Sequence, residues 1–177
     1  MDRFGEYVAL CRRGWEDFLK EGPTAALAFS RDQAFSAPRK HANTINLGAI
    51  TQGMMAAARD GKSGPYTMPS GDLRVYEIAK REGTPHAQMI TLGRTANNDI
   101  VLADASVSRF HIYFQQVDRE WKVADAGSRN GSKLDGEALA SKTLTPISSG
   151  SVLKLGELKG TFLNAPDLFS WLTQRLS

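Results

Sequence analysis

The residues of this chain with chemical potential fall into a scattered group and an ordered one. In the scattered group, His41, His86 and His111 lie far apart and share no metal-ligand spacing. Cys11 is the single cysteine, so neither an intrachain disulfide nor a cysteine metal cluster can form. A histidine can act as base to a serine or cysteine nucleophile, but no nucleophile here sits on a recognisable elbow. Gly61-Lys62-Ser63 looks like the end of a phosphate-binding loop. That motif requires a glycine five residues before Gly61, where the chain has Ala56, and no strand precedes it. Asn130-Gly131-Ser132 fits the N-glycosylation pattern without a secretory signal before it. Hydrolase and metalloenzyme readings find no support, so no catalytic residue, metal ligand or cofactor is assigned.

The ordered group lies in the second half of the chain. Gly93-Arg94 follows an apolar run, then comes Asn97-Asn98-Asp99-Ile100-Val101-Leu102. Ser108-Arg109-Phe110-His111 opens the next long run, and Gly127-Ser128-Arg129-Asn130-Gly131-Ser132 follows Trp121 to Asp125. Taken singly, each is ordinary. Arg94 reads as a surface arginine, Ser108 as a strand start, His111 as a satisfied structural histidine, and Asn130-Gly131 as a hairpin turn.

These runs need elements to position them, and three textures are visible. Phe4, Tyr7, Val8, Cys11, Trp15, Phe18 and Leu19 recur at three- and four-residue steps, which predicts an amphipathic helix over 3–21. Asp2 is placed to cap it, and Gly22-Pro23 ends it. Its aromatic stripe must pack on its own domain, on a partner or on a second copy. From Thr24 to Gly71 the chain is rich in Ala, Gly, Ser and Pro and reads as loops, with a short helix allowed within Leu47 to Ala58. From Asp72 to Asn164, short apolar or alternating runs alternate with turn residues, which predicts a β-sandwich or barrel. The runs are Leu73–Ile78, Gln88–Gly93, Asp99–Leu102, Phe110–Val117, Glu120–Asp125, Ser132–Leu134, Ser151–Leu155 and Thr161–Leu163. Pro166-Asp167 then starts a short helix with Leu168, Phe169, Leu172 and Leu176 on one face. The expected division is an extension at 1–71, a β-domain at 72–164 and a C-terminal helix at 165–177.

Composition bounds the function. The 177 residues are 41% hydrophobic and 23% charged, ordinary globular usage that excludes a wholly disordered or collagen-like chain. No apolar stretch approaches the roughly 18 residues of a membrane span. The N-terminal run carries charges where a signal peptide is apolar, so the expectation is a cytoplasmic protein with no membrane partner. Lys and Arg outnumber Asp and Glu by nine to seven up to Ser70 and by thirteen to twelve after it. Neither part has the basic density that nucleic acid demands.

The order Gly-Arg, Asn-Asp-Ile-Val-Leu, Ser-x-x-His and Asp-x-Gly-Ser-x-Asn-Gly resembles the forkhead-associated (FHA) domain over roughly Leu73 to Leu163. The resemblance implies an all-β sandwich of about eleven strands. It implies a phosphothreonine reader, not an enzyme, with its site on the loops at one end of the sandwich. By the family pattern Arg94 reaches the phosphate, Ser108 donates a hydroxyl to it and Asn130 holds the peptide main chain. His111 braces the Ser108 loop, and Gly93 and Gly131 are structural. Arg109 is the basic residue often found after the serine. Arg129 departs from the pattern, where Thr or Ser is common, and Ser128 is expected to supply a hydroxyl or N–H instead. The chemistry suits these roles. Phosphothreonine carries about −1.5 to −2 charges and three strong acceptor oxygens, and a guanidinium can pair with two of them at once.

The implied partner is a phosphothreonine-containing protein or a Ser/Thr kinase, in an adaptor or regulator of kinase signalling. Thr24, Thr44, Thr51 and Thr67 raise the further expectation that the chain's own phosphorylated N-terminal segment occupies the site. The alternative is a phosphate-independent scaffold or oligomerisation protein using the aromatic helix or the sandwich face.

Overall fold

Side-chain alternation decides which way each strand faces, and here it builds two cores rather than one. The computed structural model describes residues 3–29 and 73–176. Two helices, α1 (Phe4–Arg13) and α2 (Trp15–Glu21), precede β1 (Ala25–Phe29). Then come β2 (Arg74–Glu77), β3 (Ile90–Gly93), β4 (Ile100–Val101), β5 (Ile112–Val117) and β6 (Glu120–Asp125). The chain continues through β7 (Ser132–Leu134), β8 (Glu137–Ala138), β9 (Thr145–Pro146), β10 (Val152–Leu155) and β11 (Leu158–Asn164) to helix α3 (Ala165–Leu176). One sheet has the order β2-β1-β11-β10-β7-β8, the other β4-β3-β5-β6-β9. All pairings are antiparallel except β3 with β4. The expected all-β sandwich of about eleven strands is what the chain forms.

The first core fills the space between the sheets. Leu27, Leu153, Leu155 and Phe162 from one sheet meet Leu92, Ile112, Phe114 and Val123 from the other. The second core lies on the outer face of the first sheet. There Ala26 and Ala28 of β1, Val75 of β2 and Leu163 of β11 meet Phe4, Tyr7, Val8, Cys11 and Phe18 of the N-terminal helices. Leu168, Phe169, Trp171 and Leu172 of α3 complete it. The Phe18 ring packs edge-on to Phe169 at 5.2 Å and to Tyr7 at 6.4 Å. Burial pushes the Cys11 thiol up to about 12, so it stays protonated and unreactive at neutral pH.

Three expectations need correction. The helix expected over 3–21 is two helices, because Gly14 at φ 112° breaks the ladder and redirects the chain while keeping Phe18 on the buried side. The loop segment from Thr24 contains a strand. β1 sits between β2 and β11, so the sandwich begins well before residue 72. Asn130-Gly131 is not a hairpin, because β6 and β7 belong to different sheets. Two-residue hairpins lie instead at Asp118-Arg119 and Asp135-Gly136, where both turn residues have positive φ, the geometry of a turn that follows the strand twist, and at Gly156-Glu157, where Gly156 has φ 59°. The Asp2 cap, the short helix within 47–58, Thr44, Thr51, Thr67 and the side chain of Leu176 lie outside the described residues. Phe4, Tyr7, Val8, Cys11 and Phe18 of the stripe are buried on the chain's own sheet and Trp15 packs partly against them, whereas Leu19, expected on the same stripe, is exposed.

Candidate functional site

The loops after β3, β4 and β6 meet at one end of the sandwich through bonds that cross long sequence distances. The Arg94 N–H donates to the Ser108 carbonyl at 3.0 Å, and the Arg129 N–H donates to Ser108 Oγ at 2.9 Å. Asn130 Nδ2 donates to the Ser106 carbonyl at 2.8 Å. Arg94, Ser108, Arg109, Arg129 and Asn130 are therefore brought together, and Arg94, Arg109, Arg129 and Asn130 are exposed.

His111 ties two of these loops from below. It is fully buried. Its Nδ1 accepts the Ser108 N–H at 2.8 Å and its Nε2 lies 3.3 Å from the Gly131 carbonyl, an acceptor only. That pairing fixes the proton on Nε2. Burial lowers the imidazole's affinity for a second proton, with the Gly131 carbonyl and Asp125 opposing more weakly. A proton on Nδ1 would face the Ser108 N–H, so the neutral ring is the one that holds the loop.

Gly93 permits the closest approach. A Cβ there would lie 2.2 Å from the Arg109 carbonyl oxygen and 2.9 Å from Asn98 Nδ2. That carbonyl also accepts from Asn98 Nδ2 at 2.7 Å and Thr95 Oγ1 at 2.9 Å. Gly131 takes φ 70°, the left-handed region, as the chain leaves the site for β7.

Ser128 does not supply the donors expected of it. Its N–H donates to Asp125 Oδ1 at 2.9 Å and its hydroxyl to Oδ2 at 2.6 Å. Both of its protons point into the fold, and a phosphate, which only accepts, gains nothing from the remaining lone pairs. Ser128 is a bolt on the turn. Asp125 is the hub it fastens to, and it also accepts from the Gly127 N–H at 2.7 Å and the Ser132 hydroxyl at 2.6 Å.

The site also rests on residues to which sequence reasoning gave no role of their own. Ser106 receives the Glu157 N–H at 3.0 Å and donates to Asp104 at 2.6 Å, while Gly156 packs so close that a Cβ would fall 2.4 Å from the Ser106 carbonyl. The β10–β11 turn thereby supports the loop that bears Ser108. Their only sequence signal is a glycine in a turn.

Asp99 anchors the approach to β3. Its side chain has no solvent exposure. It accepts from the Arg81 N–H at 2.8 Å, the Thr91 N–H at 2.7 Å, Thr91 Oγ1 at 3.0 Å and the Thr84 hydroxyl, and it pairs with Lys80 Nζ at 3.0 Å. Burial alone would raise its pKa, but these donors outweigh it and hold the carboxyl at about 2, against 3.8 in an unfolded chain. A lowered folded-state pKa means stability that is complete above about pH 4 and lost as pH falls to about 2. The expected loss is about 2 kcal/mol from this group. Urea midpoints at pH 5, 3 and 2 will show it, and Asp99→Asn will flatten the part of the slope due to Asp99.

The model of the FHA domain matches residues 90–156. The glycogen accumulation regulator GarA of Mycobacterium tuberculosis is 35% identical over 115 residues, covering 63% of this chain and 69% of that protein. The oxoglutarate dehydrogenase inhibitor of Corynebacterium diphtheriae is 37% identical over 76 residues, 43% of this chain, and the chain spans only about half of it, 51%. The solution structure of the FHA domain of an Arabidopsis thaliana hypothetical protein superposes with TM-score 0.43 at 29% identity, covering 53% of this chain and 75% of that one. With its sandwich, its loop order and more than two thirds of the mycobacterial regulator aligned, the chain belongs to the FHA domain family.

Proposed function

We propose that the loop end bearing Arg94, Ser108, Arg109, Arg129 and Asn130 reads phosphothreonine in a partner protein, and that the chain acts as an adaptor or regulator in Ser/Thr kinase signalling. FHA domains are interaction modules, and the reading is of binding rather than catalysis.

The orientation of the donors carries this reading. Ser108 Oγ accepts the Arg129 N–H, and its own proton has no acceptor among the described residues. The guanidiniums of Arg94, Arg109 and Arg129 have no carboxylate partner among the described residues. Asn130 commits one amide proton to Ser106 and keeps the other, with its carbonyl oxygen, for a peptide backbone. Donors carried on cross-linked loops of a rigid frame need less reorganisation to bind a dianion. No second site of this kind occurs among the described residues, and most of the apolar stripe of the N-terminal helices, Leu19 apart, is taken up by the chain's own sheet.

Calorimetric titration against a phosphothreonine peptide tests the proposal. Charge-assisted bonds contribute about 1.5–3 kcal/mol each. Arg94→Ala is therefore expected to weaken binding by at least about tenfold, while an unphosphorylated peptide does not bind. Phosphoserine, lacking one methyl, is expected to bind about threefold to fivefold more weakly. Phosphate-independent binding that survives Arg94→Ala would overturn the reading.

A further inference from the structure

Arg94 stands at the start of a short loop whose two ends are firmly held. Its own N–H is bonded to the Ser108 carbonyl. At the far end Asn98 Nδ2 donates to the Thr95 carbonyl at 2.9 Å and to the Arg109 carbonyl at 2.7 Å. Asp99, which closes the loop, is buried among its donors. Between these anchors Ala96 and Asn97 form an exposed crest. Among the described residues one hydrogen bond from outside the loop reaches that crest, and Arg81 makes it: its guanidinium donates to the Ala96 carbonyl.

Arg81 is itself anchored. It lies four residues beyond β2 of the first sheet, whereas the loop joins β3 to β4 of the second. Its N–H donates to Asp99 Oδ1 at 2.8 Å, and its carbonyl accepts the Thr84 N–H at 3.3 Å. The preceding Lys80 ammonium donates to the carbonyls of Pro85 at 2.6 Å and Met89 at 3.1 Å as well as to Asp99. The Arg81 main chain is thus fixed on both sides, and its side chain spans the gap to the crest. A guanidinium suits that task. Its bond to a carbonyl is charge-assisted, and its planar fork loses less freedom per bond than a flexible ammonium. Residues 80–84 precede the stretch 90–156 matched by the family model, so the clamp comes from outside the matched part of the chain.

We propose that Arg81 is a positioning residue for phosphothreonine: by holding Ala96 it fixes the crest of the loop that carries Arg94, so that Arg94 meets the phosphate from a loop already ordered. The inference rests on the phosphothreonine reading above and adds to it a residue that acts through another. Order set before binding is not lost on binding, and each mobile group that must be fixed weakens the complex. A clamp also differs from a mere positive charge near the site. A charge acts through space, independently of Arg94 and less strongly in high salt. A clamp acts only through the loop of Arg94.

The test titrates the full chain with one phosphothreonine peptide, at low and at high salt, by heteronuclear NMR, which follows binding into the millimolar range. Arg81→Ala is expected to weaken binding about three- to tenfold, by the same factor at both salts. The chain stays folded, because the bond from the Arg81 N–H to Asp99 does not need the side chain. In an Arg94→Ala background the same change is expected to cost less than about twofold, because residues acting as a unit do not add. Amide exchange supplies a readout that needs no peptide. Thr95, Ala96 and Asn97 are expected to exchange faster in Arg81→Ala, with Gly127 to Asn130 unchanged. No loss of affinity, an equal loss in both backgrounds, a loss that vanishes in high salt, or unchanged exchange at the crest would each overturn the clamp and leave the reader intact. Failure of the unaltered chain to bind the peptide would instead sink the reader and the clamp's role with it.

Discussion

Asp125→Ala is expected to lower the stability of the chain by about 3–5 kcal/mol and to abolish phosphopeptide binding even where the protein remains folded. Each buried donor left without its acceptor costs about 1–3 kcal/mol, and here one carboxylate serves four donors, two of them hydroxyls that can rotate to other partners. The Gly127 and Ser128 N–H groups would lose their acceptor. The Ser128 and Ser132 hydroxyls would be left to rotate inside a small cavity. The turn that presents Arg129 and Asn130 is formed by these same bonds, so affinity falls with stability. Asp125→Asn is the informative control. Its carbonyl can still accept both N–H groups, and its amide can donate to hydroxyls that rotate to receive it. It is expected to cost only about 1–2 kcal/mol and to retain measurable binding. Chemical denaturation and titration of the two variants side by side check the argument, and an Asp125→Ala protein within 1 kcal/mol of the parent would refute the hub.

The contrast between Asp125 and Ser128 also shows where sequence reading stops. Both lie in the run that identifies the loop, and the motif made the whole turn legible. What it could not reveal is which side chains face the ligand and which face inward. Ser128 read as a donor to phosphate because a serine sits where a hydroxyl was wanted, but the buried carboxylate three residues earlier holds it. Ser106 is joined to the site by Asn130, 24 residues away, and to the β10–β11 turn by Glu157, 51 residues away, and no local pattern encodes either bond.

Strand β1 was hidden for a different reason. A half-buried strand shows alternation, but Ala25–Phe29 is covered on both faces, with Ala25, Leu27 and Phe29 toward the sandwich and Ala26 and Ala28 toward the helices. Doubly buried strands read as uniform apolar runs, and three alanines in five residues add no β signal. β8 and β9, two residues each, are set by pairing with β7 and β6 rather than by their own propensity. By contrast β10 alternates, and β5 and β6 are six-residue runs rich in β-branched and aromatic residues between clear turn signals, so all three are legible.

Phe18→Ala is expected to destabilise the sandwich itself by about 3–5 kcal/mol, the usual cost of removing a buried aromatic ring. Phe18 has no exposure, and it touches Tyr7, Trp15 and Phe169. If the helices were an appendage outside the β-domain, the change would loosen them and leave the sheets alone. They share a core with β1, β2 and β11, and β1 and β11 are paired through the middle of the first sheet, so the two cores are connected through the same strands. Unfolding should therefore remain a single transition shifted to lower denaturant. Three tryptophans make this measurable. Trp15 and Trp171 report on the helical layer, while Trp121 packs against Phe162 in the inter-sheet core. Variants keeping only Trp121, or only Trp171, should give coincident curves before and after Phe18→Ala. A helical transition that separates from an unmoved Trp121 transition would show instead that residues 3–21 are dispensable to the sandwich. Under conditions where the variant is folded, phosphopeptide affinity should stay within about twofold, because distant sites without shared partners act independently and no hydrogen bond or ring contact joins Phe18 to the loops among the described residues.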